Sequence, residues 1–433
     1  MAQKLKATVL LSAYACCPDR GSEPRYGWNY LLQYARAFGQ VILVTSEQDH
    51  LQVERQLVEL GIRNVKILTV TLPYRLEKLR NIPVGGIHLH YWLWLRKAVK
   101  AIRHIPDKID FAHHVTYGSL QFGSPLYQLS CPFIFGPVGG GQVTNPIFYP
   151  LMGKKARYTE KVRNLVSYSF YRWNPLFKGT IKNASLIYCT NNETRTATLQ
   201  HLPASQRQKV KMMLDTVLDD RFLAGAPVRT AVDPARTGRK DKLRALWVGR
   251  LIPRKGIEIL LNVALLLKDE PFTLTMAGDG PLRNMVLDFI SANGLEDTIH
   301  FAGQLDQGRI LDCYKESDLL LFLSYRDSAG LQIMEAFSQG VPVISFDQFG
   351  ASILISGHTG IKIPVEGDLE QIQTEIANSI RQLILQPQRL TQMSNNAAAF
   401  AQEFSWERRM ETILQDIKPL LRYEDAHLRL ERI

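Results

Sequence analysis

Short apolar runs alternate with longer amphipathic stretches along the whole chain. Residues 7–12 (ATVLLS), 41–45 (VILVT), 133–135 (FIF) and 186–189 (LIYC) have strand length, and apolar positions recur at helical spacing between them. This alternation predicts a parallel sheet covered by helices. The pattern then begins again. Residues 245–248 (ALWV), 272–277 (FTLTMA), 299–302 (IHFA), 319–323 (LLLFL) and 343–346 (VISF) are short apolar strands, each followed by a helix-like stretch. Between the two sets, residues 224–241 mix Gly, Pro, Arg and Lys without periodicity and read as a linker. The expected division is therefore 1–225, a linker at 226–241, a second domain at 242–400 and a terminal helical segment at 401–433. Neither an internal repeat nor a low-complexity tract is detectable, so the halves are expected to share architecture rather than sequence. Two such domains leave a central cleft in which the carboxyl ends of both strand sets face one ligand, an arrangement suited to two substrates.

Composition sharpens this picture at three points. The 433 residues exceed what one core usually organises, and 45% hydrophobic with 21% charged residues is ordinary for a globular protein. Lysine and arginine outnumber acids 52 to 41, and the net charge of +11 points to an anionic partner: a nucleotide, a lipid head group or a nucleic acid. Five cysteines, with Cys16 and Cys17 adjacent, make neither a metal-binding spacing nor an even disulfide set, which implies a reducing compartment. Lys4 and Lys6 before an apolar stretch ending at Cys16 imitate a lipoprotein leader, but Ser12 and Tyr14 interrupt it and favour a buried first strand. No apolar run reaches the roughly 18 residues of a membrane span, so the protein is expected to touch a membrane at most.

The candidate chemistry concentrates in the second half. Strand 245–248 runs into Gly249-Arg250-Leu251-Ile252-Pro253-Arg254-Lys255-Gly256 ahead of a helix. Arg250 as a planar fork and Lys255 as a mobile point charge can grip a diphosphate from two sides, with helix N-terminal amides adding partial positive charge. A solvated basic loop would show the same residues. After strand 319–323 comes Asp327-Ser328-Ala329-Gly330-Leu331-Gln332-Ile333-Met334-Glu335. Ser328, Ala329 and Gly330 are small enough to bring backbone amides close to an anion, and Glu335, a turn into the next helix, can accept both hydroxyls of a ribose. The plain alternative makes Asp327 a helix cap and Glu335 a surface acid.

These motifs together resemble family 4 of the retaining glycosyltransferases, the GT-B-fold group that includes glycogen-synthase-like enzymes and mannosyltransferases. The family's E-x7-E element reads D-x7-E here, from Asp327 to Glu335. Gly249-Arg250 with Lys255-Gly256, Ala277-Gly278-Asp279-Gly280-Pro281, Phe301-Ala302-Gly303 and Gly340-Val341-Pro342 match as well, over residues 243–365. The resemblance implies a GT-B fold of two Rossmann-like, doubly wound domains. It implies that Arg250 and Lys255 neutralise the donor diphosphate, that Glu335 holds the ribose, and that Gly303, Gln304 and Leu305 contact the base. Asp327 and the amides of Ala329, Gly330 and Leu331 would face the sugar and phosphates. Two departures, Asp327 for glutamate and Ser328-Ala329 for Gly-Phe, bear on donor identity.

In the first half the resemblance places the loop carrying Gly21, Ser22 and Glu23 against donor phosphates and acceptor, with Gly21 and Ser22 where a glycine pair is common and Glu23 on acceptor hydroxyls. Pro24 near a helix start is also ordinary capping grammar. Asp110-Phe111-Ala112-His113-His114 resembles the strand that ends in the family's sugar-contacting histidine. Neighbouring strand residues face opposite ways, so at most one of the two enters the cleft; His114, nearer the strand end, is the candidate, and a buried histidine packed between sheet and helix is the alternative. Gly139 and Gly140 permit close approach of an acceptor or a tight turn.

The expected mechanism is transfer with retention. The cations stabilise the departing nucleoside diphosphate, and the leaving phosphate takes the acceptor proton on the same face. No D-x-D metal motif is present, so neither a metal nor a resident cofactor is expected; the nucleotide sugar is a co-substrate. Candidate partners are a sugar or lipid-linked acceptor and an anionic membrane surface, not nucleic acid. Residues 72–108 hold eight lysines and arginines around Tyr91-Trp92-Leu93-Trp94-Leu95, and residues 154–182 repeat the mixture with Tyr158, Tyr168, Phe170, Tyr171 and Trp173. Core aromatics beneath a solvated basic face would look the same. The expected location is cytoplasmic, peripheral on the inner membrane face. The rival readings are a GT-B phosphorylase, a sugar-nucleotide epimerase, or a non-catalytic basic protein that binds lipid or nucleic acid. The terminal Phe404-Ser405-Trp406 segment would, by the resemblance, return to the first domain.

Overall fold

The structure is a computed structural model that describes residues 4–20, 22–82, 85–218, 222, 242–328 and 330–421. The expected linker at 226–241, Gly21, Ala329 and residues 422–433 lie outside the described residues, and for Ser22 only its backbone place in a helix is described. The chain divides into two compact units: Met1–Gly141 with Val166–Met213 and Met410–Ile433, and Gln142–Leu165 with Leu214–Arg409.

Unit 1 holds a seven-stranded parallel sheet of β1 (Leu5–Ser12), β2 (Phe38–Ser46), β3 (Val65–Val70), β4 (Phe111–His114), β5 (Phe133–Val138), β6 (Leu186–Cys189) and β7 (Val210–Met212), ordered β3-β2-β1-β4-β5-β6-β7. Strands covered on both faces must be apolar on both, which is why Val9, Leu10, Leu11 and Val41, Ile42, Leu43, Val44 are all buried. Helix Gly86–Ile102 packs Tyr91, Trp94 and Leu95 into this core, with Trp94 Nε1 donating to the Val70 carbonyl at 2.9 Å. The basic-aromatic stretch at 72–108 is thus corrected: two of its aromatics are core, and Trp92 lies beneath the Arg96 guanidinium, 3.7 Å from the ring centre.

Unit 2 holds a six-stranded parallel sheet of β8 (Leu243–Val248), β9 (Phe272–Ala277), β10 (Ile299–Gly303), β11 (Leu319–Phe322), β12 (Val343–Phe346) and β13 (Gly360–Ile363), ordered β10-β9-β8-β11-β12-β13. The expected boundary shifts in two places, and the core explains both. Phe148 and Met152 pack with Trp247, Tyr325 and Phe346, which draws Gln142–Leu165 into unit 2; Phe148 stacks on Tyr325 with centroids 4.3 Å apart. Leu214, Leu218 and Phe222 pack with Leu246, Phe322 and Phe337, so unit 2 begins well before 242. The helix Lys154–Trp173 is continuous through Leu165 and Val166, where the grouping changes.

At the other end, helix Trp406–Ile417 changes grouping after Arg409. Arg409 donates to the carbonyls of Leu214 and Thr216 at 2.6 and 3.0 Å in unit 2, and Asp416 accepts the Tyr188 hydroxyl at 2.8 Å in unit 1. Among the described residues no helix is long and apolar enough to cross a membrane.

Candidate active site

A doubly wound sheet opens a crevice where its strand order reverses, at the carboxyl ends of the strands. In unit 2 that point lies between β8 and β11, and the loops leaving these strands carry Lys255 and Asp327. The loops fit closely. Gly256 sits at φ 69°, and a Cβ there would lie 1.9 Å from the Leu323 carbonyl oxygen, so this junction tolerates only glycine. Alongside, Leu251 N–H donates to Asp279 O at 3.0 Å and Gly249 N–H to Ala277 O at 3.0 Å, and a Cβ on Gly278 would fall 1.7 Å from Gly249 O. The glycines of the β8 and β9 loops thus lace one strand-end rim to the next.

Lys255 is almost fully buried, and its ammonium donates to Asp327 Oδ2. Arg254 lies 3.9 Å from the same oxygen and donates to the Arg326 carbonyl at 2.9 Å. Burial alone would raise the Asp327 pKa; the Lys255 charge and hydrogen bond, then Arg254 and the Ser328 amide, outweigh it and hold the carboxyl below its ordinary value. The ion pair is therefore formed in place. Arg250 is exposed at the end of β8 and, among the described residues, has no carboxylate partner. Glu258, in the first turn of the next helix, is raised to about 7 by burial and is therefore only about half ionised near neutrality.

Ser328 donates from its hydroxyl to Asp215 Oδ2 at 2.9 Å. Asp215 is raised above its ordinary value chiefly by burial, against the pull of that hydrogen bond. Sequence reading missed Asp215 because it stands in a stretch with no recognisable motif. It missed Glu160 too, which is buried, accepts from Thr144 at 3.0 Å and pairs with Arg326 at 3.1 Å, bracing the residue before Asp327.

Gly330 adopts φ 77°, ψ 72° and begins helix Leu331–Ser338, whose N-terminus no described side chain caps. Glu335 is half buried on this helix, and the buried Tyr314 hydroxyl donates to its Oε2 at 3.0 Å. Gly303 ends β10 at the sheet edge, accepting the Gly278 amide at 2.7 Å, with Gln304 exposed and Leu305 half buried. Lys255, Asp327 and Ser328 thus converge, Glu335 follows along the helix, and 303–305 occupy the outer strand end.

Unit 1 arranges its candidates differently. Glu23, in the first turn of helix Ser22–Ala37, accepts the Tyr117 amide at the junction of β1 and β4, where this sheet reverses. His114 does not reach an open surface: it is fully buried, with Nε2 2.7 Å from the Tyr91 hydroxyl and Nδ1 3.1 Å from Ser124 Oγ. Burial lowers its pKa to about 4, so the ring is neutral. His113 is equally buried, 2.6 Å from the Tyr34 hydroxyl and 2.7 Å from Gly136 O. Neither histidine is carried further as a sugar contact. Gly139 pairs with Gly118 and Leu120 through backbone bonds, and Gly140 O accepts from Gln121 at 2.6 Å and from Tyr171 at 2.9 Å, so both glycines serve internal turns here. Among the described residues no group of three or more His, Cys, Asp or Glu could hold a metal ion.

The convergence in unit 2 falls at the strand-end crevice of a doubly wound domain, and residues 230–400 match the family model of the glycosyl transferases group 1. The match lies within the C-terminal half, the part that carries the resemblance to the family 4 enzymes. A D-inositol 3-phosphate glycosyltransferase of Rhodococcus jostii is 28% identical over 205 residues, covering 45% of this chain and 43% of that protein. An alpha-D-kanosaminyltransferase of Streptomyces kanamyceticus is 28% identical over 201 residues, 46% of this chain and 50% of that one. The matches thus span half or less of these curated relatives. Among solved structures, the Anabaena protein HepE, in complex with UDP, superposes with a TM-score of 0.62 at 18% identity, covering 95% of this chain and all of that one (100%). WaaG, a glycosyltransferase involved in lipopolysaccharide biosynthesis, gives a TM-score of 0.59 at 16% identity, over 94% of this chain and 99% of that chain. The fold is GT-B, with two parallel-sheet Rossmann-like domains.

Proposed function

We propose that the protein is a retaining glycosyltransferase that moves a sugar from a UDP- or GDP-sugar to a sugar, polysaccharide-precursor or lipid-linked acceptor. The observation that carries this reading is the clustering of positive charge in the loop after β8: Lys255 and Arg254 share Asp327, and Arg250 has no carboxylate partner among the described residues. Such a cradle suits a diphosphate, whose charge grows as the glycosidic bond breaks. Arg250 and Lys255 stabilise that charge, and Asp327 keeps Lys255 oriented while the acceptor attacks from the face the nucleotide leaves. Glu335, held by Tyr314, takes the ribose. Glu23 is kept as an acceptor contact, and an anionic membrane as a partner.

Thermal unfolding with UDP, GDP and ADP in turn tests the reading. One diphosphate should stabilise the protein by several degrees at a hundredfold excess over its Kd. UDP comes first, because HepE structures hold UDP and UDP-glucose. No stabilisation by any of the three removes the donor site. Turnover that persists in EDTA, with the product's anomeric configuration read by NMR, tests metal independence and retention. Sugar release driven by inorganic phosphate would favour the phosphorylase reading instead.

A further inference from the structure

Helix Lys154–Trp173 has two unlike faces. Glu160 marks one, buried and bound to Thr144 and Arg326. At the helical repeat, Tyr158, Val162, Leu165, Val166 and Trp173 fall on the opposite side, and they are 70%, 38%, 65%, 46% and 72% exposed. A helix of a globular protein normally turns its apolar stripe inward; here a second one faces water. The stripe runs from Tyr158 to Trp173, 15 helical steps or roughly 22 Å. Lys154, Lys161, Tyr168 and Arg172 line its flank. Of the charged residues on this helix six are basic, and the one acid is the buried Glu160. The next helix, Pro175–Asn183, adds exposed Lys178 and Lys182.

We propose that this face of helix Lys154–Trp173 docks on an anionic lipid bilayer, the apolar stripe entering the boundary of the acyl chains and the cations meeting acidic head groups. The proposal rests on the membrane partner named above and gives it a location other than helix Gly86–Ile102. Charge complementarity selects the occupant. A second copy of the chain would bring the same basic flank to the interface, where like charges repel, whereas a bilayer rich in acidic lipids neutralises it.

The test is vesicle co-sedimentation of the full chain. Vesicles of seven parts phosphatidylcholine to three parts phosphatidylglycerol should retain it at least about tenfold more strongly than phosphatidylcholine alone, and added salt should weaken the binding. The double variants Leu165→Ser with Trp173→Ser, and Lys154→Glu with Lys161→Glu, should each lose about tenfold or more in binding while the unfolding midpoint without vesicles stays unchanged, because the substituted side chains are exposed. The vesicle readout needs no nucleotide, so it stands or falls apart from the transferase reading. Wild-type protein that stays in the supernatant, equal binding to both vesicle types, or variants that bind like wild type would each overturn the proposal. A dimer in sedimentation velocity that the Leu165→Ser/Trp173→Ser variant lacks would overturn it as well, since the face would then belong to a second copy.

Discussion

Both sheets reverse their strand order between the first and fourth strands of their own run, yet the two reversal points carry opposite electrostatics. In unit 1 the charges beside the strand ends are matched. Arg20 pairs with Asp49 at 3.0 Å, Arg80 with Glu77 at 3.1 Å, and Glu23 is taken up by a backbone amide, while both histidines of β4 are buried in hydrogen bonds to tyrosines and burial keeps His114 neutral. In unit 2 Lys255 and Arg254 both lie beside Asp327, and the exposed Arg250 has no carboxylate partner among the described residues. A rim with balanced charge suits neutral hydroxyls, and a rim with surplus positive charge suits a phosphate chain. The same topology is thus specialised by a few loop residues, which is why fold alone does not name a substrate.

The largest effect should come from removing what touches both units. Deleting residues after Gln402 takes away Arg409, which holds the carbonyls of Leu214 and Thr216, and Asp416, which holds Tyr188. Transfer should be abolished while the strand-end motifs of unit 2 still bind nucleotide; a truncated protein with the wild-type rate would contradict this. Next come Lys255→Ala and Arg250→Ala, each expected to lower turnover at least about a hundredfold by removing a charge-assisted contact from a partly desolvated site. Lys255→Ala should be the more damaging, because it also leaves Asp327 without its partner. Normal rates in both variants would dissolve the contrast between the rims.

Smaller changes are expected along helix Leu331–Ser338. Glu335→Ala should weaken nucleotide binding by roughly 1.5–3 kcal/mol if the carboxylate holds a ribose through charge-assisted hydrogen bonds. Tyr314→Phe, which removes only the hydroxyl that orients Glu335, should cost about 0.5–1.5 kcal/mol. Calorimetry distinguishes the two, and unchanged affinity in Glu335→Ala would leave the acid a surface residue.

These residues were legible because their chemistry is local. Gly256, Lys255 and Asp327 belong to short motifs at strand ends, and a motif keeps its meaning wherever the strand is placed. What sequence concealed depended on burial and on distant contacts. Nothing along residues 142–165 announces that Phe148 will stack on Tyr325, or that Glu160 will pair with Arg326, 166 positions away. Asp215 gained its significance only through Ser328, 113 positions on. The aromatic run at Tyr91 and Trp94 has the composition of a membrane belt, and only packing against β3 decides that it is core. The burial of both His113 and His114 was hidden for a related reason. Alternation along a strand puts one of them on each face, but in a sheet covered on both sides each face is buried.

The smallest effect on transfer is expected at His114, and it separates the two rims most cleanly. If the ring only packs, His114→Gln should leave turnover at pH 7.5 within about threefold of wild type, since a glutamine can still meet the Tyr91 hydroxyl near the place of Nε2. Its signature should instead be in stability. Burial lowers the folded pKa from 6.5 to about 4, so the folded state favours the neutral ring. The stabilisation this gives is fully present above pH 6.5 and is lost as pH falls from there through about 4, where the unfolded chain binds a proton that the folded one refuses. Integrated over that window, the loss is on the order of 3 kcal/mol. Urea unfolding of wild type should therefore show a falling midpoint between pH 6.5 and 4, and His114→Gln should flatten the part of the slope owed to this residue. Were the variant to lose transfer a hundredfold at pH 7.5 with its stability intact, the histidine would meet the sugar after all, and the division between a charged rim and a packed one would have to be redrawn.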